Sequence, residues 1–195
     1  MKKLVVLFIL IFATNLNAQF FSKKSQFELF DIRLYDSVEQ HASSSEMRNK
    51  FDHIEANNFS RIILENKSSA SFDVVSIASD KSNTIHEIFA ASYIDASYSD
   101  CYEAIAPRIV QNFINKYYVE FLPYEDAYKD FSIYSYQTDD NGYNTFRIQC
   151  SYEYSTGEVL LQMIYQTPEI SRAIDEFYND GFWPSIWLSQ TLISA

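Results

Sequence analysis

The chain has 195 residues, a formal net charge of −11 and a pI near 4.6. That balance excludes nucleic acid and anionic membrane surfaces as partners, since both demand basic protein surface. An aromatic content of 17% rules out a disordered acidic tail, and 3 glycines are too few for nucleotide-binding loops or glycine-rich repeats.

The opening Met-Lys-Lys, the apolar run over residues 4–12 and the small residue Ala18 spell a secretory signal peptide over residues 1–18. Cleavage is expected between Ala18 and Gln19. The apolar run falls short of the ~20 residues that cross a bilayer, and no later run reaches that length, so no transmembrane segment is expected after cleavage. No cysteine follows Ala18, so the usual lipid attachment point is missing. Loss of Lys2 and Lys3, with no acidic residue removed, takes the net charge from −11 to −13. The expected location is the bacterial cell envelope or beyond it, periplasmic or secreted.

Residues 19–26 form a polar, flexible leader, and residues 27–195 are read as a single α+β domain. A strand is expected over 27–35, with Phe30, Ile32 and Leu34 on one side. A short helix follows, capped by Asp36 with Glu39 three residues on. Residues 43–58 are polar, with a turn of helix near Met47. Strands are expected at 59–65, 72–78 and 84–93, the last two joined by the turn-forming Ser79-Asp80-Lys81-Ser82-Asn83.

The long helix over 100–118 organises the reading. Cys101, Ile105, Ile109 and Phe113 recur every four residues, and Val110, Ile114 and Tyr117 widen the stripe into one apolar face. Asp100 is the expected cap. Pro107 either bends this helix or starts it. A loop is expected over 121–130. Three strands then follow at 131–137, 143–154 and 158–166, joined by Asp139-Asp140-Asn141-Gly142 and Ser155-Thr156-Gly157-Glu158. In the first of these Phe131 and Ile133 are expected to face the core, with Tyr134 and Tyr136 outward. Thr167 caps a closing helix that begins at Pro168 and stops at Gly181, and Phe182, Trp183 and Trp187 make an apolar tail.

The predicted fold class is thus an antiparallel sheet with helices packed on one face. Helix-plus-meander occurs twice, and both helices open with Asp-x-x-Glu, at Asp36 and Asp100. A tandem pseudo-repeat with halves 27–95 and 96–195 is the corresponding expectation. In element order alone the chain resembles small secreted folds such as the β-lactamase inhibitor proteins and the outer-membrane assembly lipoproteins.

Two cysteines in a secreted chain pair most simply with each other, so a Cys101–Cys150 disulfide is expected to tie the long helix to the sheet. His41, His53 and His86 form no recognisable relay or metal motif, and no catalytic, cofactor-binding or metal-ligating residue is assigned. Asp139-Asp140-Asn141-Gly142 lacks the later glutamate of a calcium loop and reads as a hairpin turn. Asn58 and Asn66 begin glycosylation acceptor triplets, which matter only in a host that glycosylates. Tyr134 and Tyr136 are the candidate binding surface, because stiff amphipathic rings suit protein and sugar interfaces; the alternative is that the closing helix and the tail with Trp183 and Trp187 cover them. The expected function is non-enzymatic binding of another envelope or extracellular protein or glycan. The rivals are an enzyme with a dispersed acidic site and a small-molecule or lipid carrier.

Overall fold

The computed structural model describes residues 27–53, 56, 58–65, 67, 72–127, 131–140 and 143–179. The segments expected to be signal peptide and leader, Gly181 and the tryptophan tail lie outside the described residues.

Eight strands form one antiparallel sheet: β1 Phe51–Asp52, β2 Ser60–Ile63, β3 Val74–Ser79, β4 Ile85–Tyr93, β5 Leu122–Ala127, β6 Phe131–Asp140, β7 Asn144–Glu153 and β8 Val159–Gln166. Their order is β1-β2-β3-β4-β8-β7-β6-β5, so two meanders meet along their last strands. The order is symmetric about β4 and β8 while the strand lengths are not. Among the described residues the α-helical pieces are α1 Ser44–Arg48, α2 Tyr98–Asp100, α3 Ala106–Tyr117 and α4 Pro168–Asn179, with a 3-10 turn at Val38–Gln40 and a π-helical stretch at Cys101–Ile105. The fold is α+β, with the cysteines joined as a disulfide at a Cα separation of 6.0 Å.

One face of the sheet carries Ile77, Ile88, Ile148, Met163 and Tyr165, all buried beneath the long helix and residues 27–42. Registers fix this face, since Ile77 sits opposite Ile88, Ile88 opposite Tyr165, and Tyr165 opposite Phe146. Phe27 wedges between helix and sheet, its ring 5.0 Å from Tyr117 and 5.3 Å from both Phe146 and Tyr165. The edge-on pairs, with Tyr117 and Tyr165, add about 0.5–1.5 kcal/mol each beyond the area they bury. Residues 27–35 are therefore core, but they form no strand. Phe30, Asp31 and Tyr35 adopt positive φ, and only an isolated bridge links Leu29 to Ile32. The segment turns back on itself to plug one end of the core. The short helix expected after Asp36 is a single 3-10 turn, Val38–Gln40, whose N-cap is Ser37 with no side-chain cap bond; the capping box is Ser43 with Glu46, around α1.

The long helix departs from its sequence pattern at one point. Ser97 caps α2, and Cys101–Ile105 is π-helical before α3 begins, with the Ala106 N–H donating to the Cys101 carbonyl. The extra residue explains why burial steps from Cys101 to Ala106 and then to Val110, rather than by fours. It comes just before Pro107, which has no N–H to offer the preceding π-helical turn. Tyr118, in the left-handed conformation, ends the helix.

Residues 122–127 are a strand, not the expected loop. Pro123, Glu125 and Asp126 place this segment where such residues are tolerated, on the outside edge of a sheet. The Ala127 N–H donates to the Asp126 carboxylate at 2.9 Å. The sheet's second face carries the buried side chains of Val74, Phe89, Ala91 and Leu160, and Ile170 of α4 packs against Ala78 on that face.

Candidate functional site

Two clusters stand out, one ionic and one aromatic. The ionic cluster lies on the second face. Arg61 of β2, Ala78 of β3, Glu87 of β4 and Gln166 of β8 form a single row across the sheet. The small Ala78 side chain lets Arg61 and Glu87 meet above it, and a guanidinium N–H donates to the Glu87 carboxylate. Arg61 also donates to the Ser76 hydroxyl at 3.1 Å and to His53 Nε2 at 2.6 Å. His53 Nε2 also lies 3.7 Å from the Glu87 carboxylate. Gln166 donates to the other Glu87 oxygen at 2.6 Å and accepts from Arg147 at 3.0 Å. Burial alone would push the Glu87 carboxyl up. The Arg61 charge, with His53 and Gln166 beside it, outweighs that and holds it at about 2.

Glu87 is thus ionised, enclosed and fully engaged, with 2% of its side chain exposed. A general acid or base needs a pKa near the working pH and contact with substrate. Glu87 has neither, and the cluster acts as a buried strap across four strands. His86 is likewise packed, with Nδ1 bonded to Thr167 Oγ1 at 2.9 Å and Nε2 3.4 Å from Asp80. His41 Nε2 bonds Asp36 at 2.9 Å. Among the described residues no group of three or more His, Cys, Asp or Glu is placed to hold a metal ion, and no helix is long and apolar enough to cross a membrane.

The aromatic cluster lies at the disulfide. Tyr134 is directly opposite Cys150, and Tyr136 opposite Ile148, so both tyrosines point to the helix-covered face. Phe131 and Ile133 take the other face. The sequence expectation reversed the two faces, and the reason is one residue of loop. A two-residue Asn-Gly turn would pair Asp140 with Tyr143. Instead Asp140 pairs with Asn144, and a shift of one in register exchanges the faces.

The first turns of the long helix roof over this region. Tyr102 stacks on Tyr134 with ring centroids 4.7 Å apart and planes 23° apart, and the Tyr136 hydroxyl donates to the Tyr102 carbonyl at 2.9 Å. Tyr98 meets Tyr102 at 5.1 Å and Tyr152 at 5.7 Å, Tyr134 meets Tyr136 at 5.4 Å, and Tyr152 meets Tyr154 at 5.4 Å. Six tyrosines from the helix, β6, β7 and the turn after β7 make one continuous patch. Tyr102, Tyr134, Tyr136 and Tyr152 are half-buried, and Tyr154 is 50% exposed. The patch is anchored by the Cys101–Cys150 bond, whose cysteines neighbour Tyr102 in the chain and Tyr134 in the sheet.

Its electrostatics are one-sided. Burial and then the Glu125 carboxylate push the Tyr98 phenol to about 12. Burial raises Tyr102 too, helped by Glu103 and Glu125, and burial raises Tyr136, with Tyr134 and Glu103 adding. All three phenols are therefore neutral donors in a negative field. The sequence singled out Tyr134 and Tyr136, but not Tyr98, Tyr102, Tyr152 and Tyr154. Their common signal was proximity to the two cysteines. No family model, curated protein or solved structure matches the chain.

Proposed function

We propose that the chain is an extracytoplasmic, non-enzymatic binding protein and that the tyrosine patch is its recognition surface. The carrying observation is the patch itself: six rings in mutual contact, half-buried to half-exposed, where tyrosines elsewhere in the core would be sealed. Rigid, amphipathic side chains already packed against each other lose little conformational entropy when a partner covers them. The disulfide supports an oxidising compartment, as does the signal-peptide pattern of residues 1–18.

The rival readings have less behind them. A dispersed acidic active site calls for a carboxyl poised near neutrality, whereas Glu87, the fully enclosed carboxylate, is held ionised. A lipid carrier calls for a cavity between helix and sheet, where Phe27, Phe113, Phe146 and Tyr165 rings are packed at 4.6–6.2 Å. The test is photo-crosslinking in the producing cells with benzoylphenylalanine at position 154 and, as control, at position 118, where Tyr118 is 91% exposed and outside the patch. A discrete adduct from position 154 alone supports the proposal. Equal adducts from both positions, or none from 154, overturns it.

A further inference from the structure

Two carboxylates border the tyrosine patch, and both are exposed. Glu125 of β5 sits directly across from Tyr134 on the same face of the sheet. Glu103 follows Tyr102 in the π-helical stretch and is close enough to act on both Tyr102 and Tyr136, while Glu125 acts on Tyr98 and Tyr102. Tyr102 is therefore in the field of acids from two different elements. The face of a phenol ring is itself negative, and a cation lying over it gains about 0.5–1 kcal/mol when exposed and ~2 kcal/mol when desolvated. The chain as a whole is at −11, so an anionic group is repelled both locally and at long range.

The edge beside the patch limits how a partner can approach. Pro123 offers no N–H, and the Ala127 N–H is already held by Asp126. A strand added alongside β5 would find two of its donors missing, and docking by main-chain pairing is disfavoured. Side chains entering the patch from above meet no such obstacle.

We propose that the Tyr102–Tyr134 stack, with Glu103 and Glu125 on either side, is a docking site for an arginine-bearing basic segment of a partner protein. This rests on the binding role proposed above and specifies the partner's chemistry. Arginine suits the site better than lysine. Its planar guanidinium stacks on rings while its N–H fork donates to carboxylates, whereas an ammonium acts as a strongly hydrated point charge.

The experiment titrates the disulfide-bonded full chain with fluorescein-labelled acetyl-tetra-arginine amide at ~0.15 M salt, where exposed long-range attraction is screened beyond about 8 Å. The neutral isostere acetyl-tetra-citrulline amide and the oligosaccharide chitohexaose are run beside it. The arginine peptide is expected to bind at least tenfold more tightly than the citrulline peptide. Glu103→Gln combined with Glu125→Gln should weaken it roughly tenfold, about 1.4 kcal/mol. Tyr134→Leu should weaken it as well. Asp31→Asn, which removes one charge from an 89%-exposed carboxylate on the N-terminal turn, should change affinity less than twofold. Glu103 and Glu125 are exposed, so the glutamine variant keeps its fold, and an unchanged melting curve checks this. Equal loss from Asp31→Asn and from the paired glutamine variant would show diffuse attraction and overturn the assignment. Binding of chitohexaose without the arginine peptide would also overturn it and leave the patch a binding surface. Failure of every probe, together with no adduct from position 154, would remove both proposals.

Discussion

Breaking the Cys101–Cys150 link should cost the fold about 4 kcal/mol. The bond closes a loop of 49 residues, and the chain-entropy model assigns roughly that much to a loop of this length. Both cysteines are fully buried, so Cys→Ala is the cleaner substitution, because serine would add a buried hydroxyl. A single Cys→Ala leaves a lone thiol, which behaves as a small apolar group. Cys101→Ala, Cys150→Ala and the double variant should therefore fall within ~1 kcal/mol of one another, since each removes the same constraint. For a domain of this size a loss of 4 kcal/mol lowers the melting temperature by roughly 10 °C or more. Urea denaturation followed by far-ultraviolet circular dichroism, with and without reductant, measures the loss directly. Additive losses in the double variant, or identical midpoints for oxidised and reduced protein, would refute the view that one cross-link pins the helix to β7. The arrangement of Tyr102 over Tyr134 would then lose its physical basis.

The Glu87 strap predicts a pH dependence. Its folded pKa of about 2 lies below the ordinary 4.5, so its contribution is complete above about pH 5 and is lost as the pH falls toward 2. At 1.36 kcal/mol per unit the full effect is roughly 3 kcal/mol. Chemical denaturation at pH 7, 4 and 3 should show Glu87→Gln less stable than the natural chain at pH 7, with the difference shrinking on acidification; a constant difference would contradict the assignment. Glu87→Leu should cost roughly 3–5 kcal/mol, because it leaves the Arg61 charge buried without its carboxylate. Gly157 adopts φ +73° in the β7–β8 turn, where an added Cβ meets nothing closer than the Tyr152 hydroxyl at 4.0 Å. Gly157→Ala should therefore cost about 1–2 kcal/mol from backbone conformation alone, and a neutral result would show the turn relaxing to another form.

The strands with strong alternation were legible in the sequence because burial on one face leaves a period of two. The disulfide was legible because two cysteines offer a single pairing. What escaped was information held in register. Alternation says that Tyr134 and Tyr136 share a face with each other, but the loop between Asp140 and Asn144 decides which face it is. The stripe of the long helix read as a four-residue repeat until the π-helical residues before Pro107 inserted one more. β5 carries its acidic residues and proline because it is an edge, and composition alone makes such a segment look like a loop. Residues 27–35 alternate like a strand yet plug the core in a turn-rich path, which local pattern does not distinguish. Arg61 and Glu87 are 26 positions apart and become partners only when three strands bring them into one row over Ala78.

The most direct measurement of the central claim compares stability with binding in the same variants. Tyr154→Ala removes a half-exposed ring, and Tyr134→Ala removes the half-buried ring under Tyr102. Formaldehyde crosslinking in the producing cells gives the yield of the complex, and thermal denaturation of the purified variants gives their stability. The tyrosine patch as a recognition surface predicts that Tyr154→Ala lowers the yield severalfold with a melting temperature within a few degrees of the natural chain, and that Tyr134→Ala lowers both. A yield unchanged in Tyr154→Ala, and reduced in Tyr134→Ala only as far as its folded fraction falls, would show that the tyrosines hold the fold and recognise nothing.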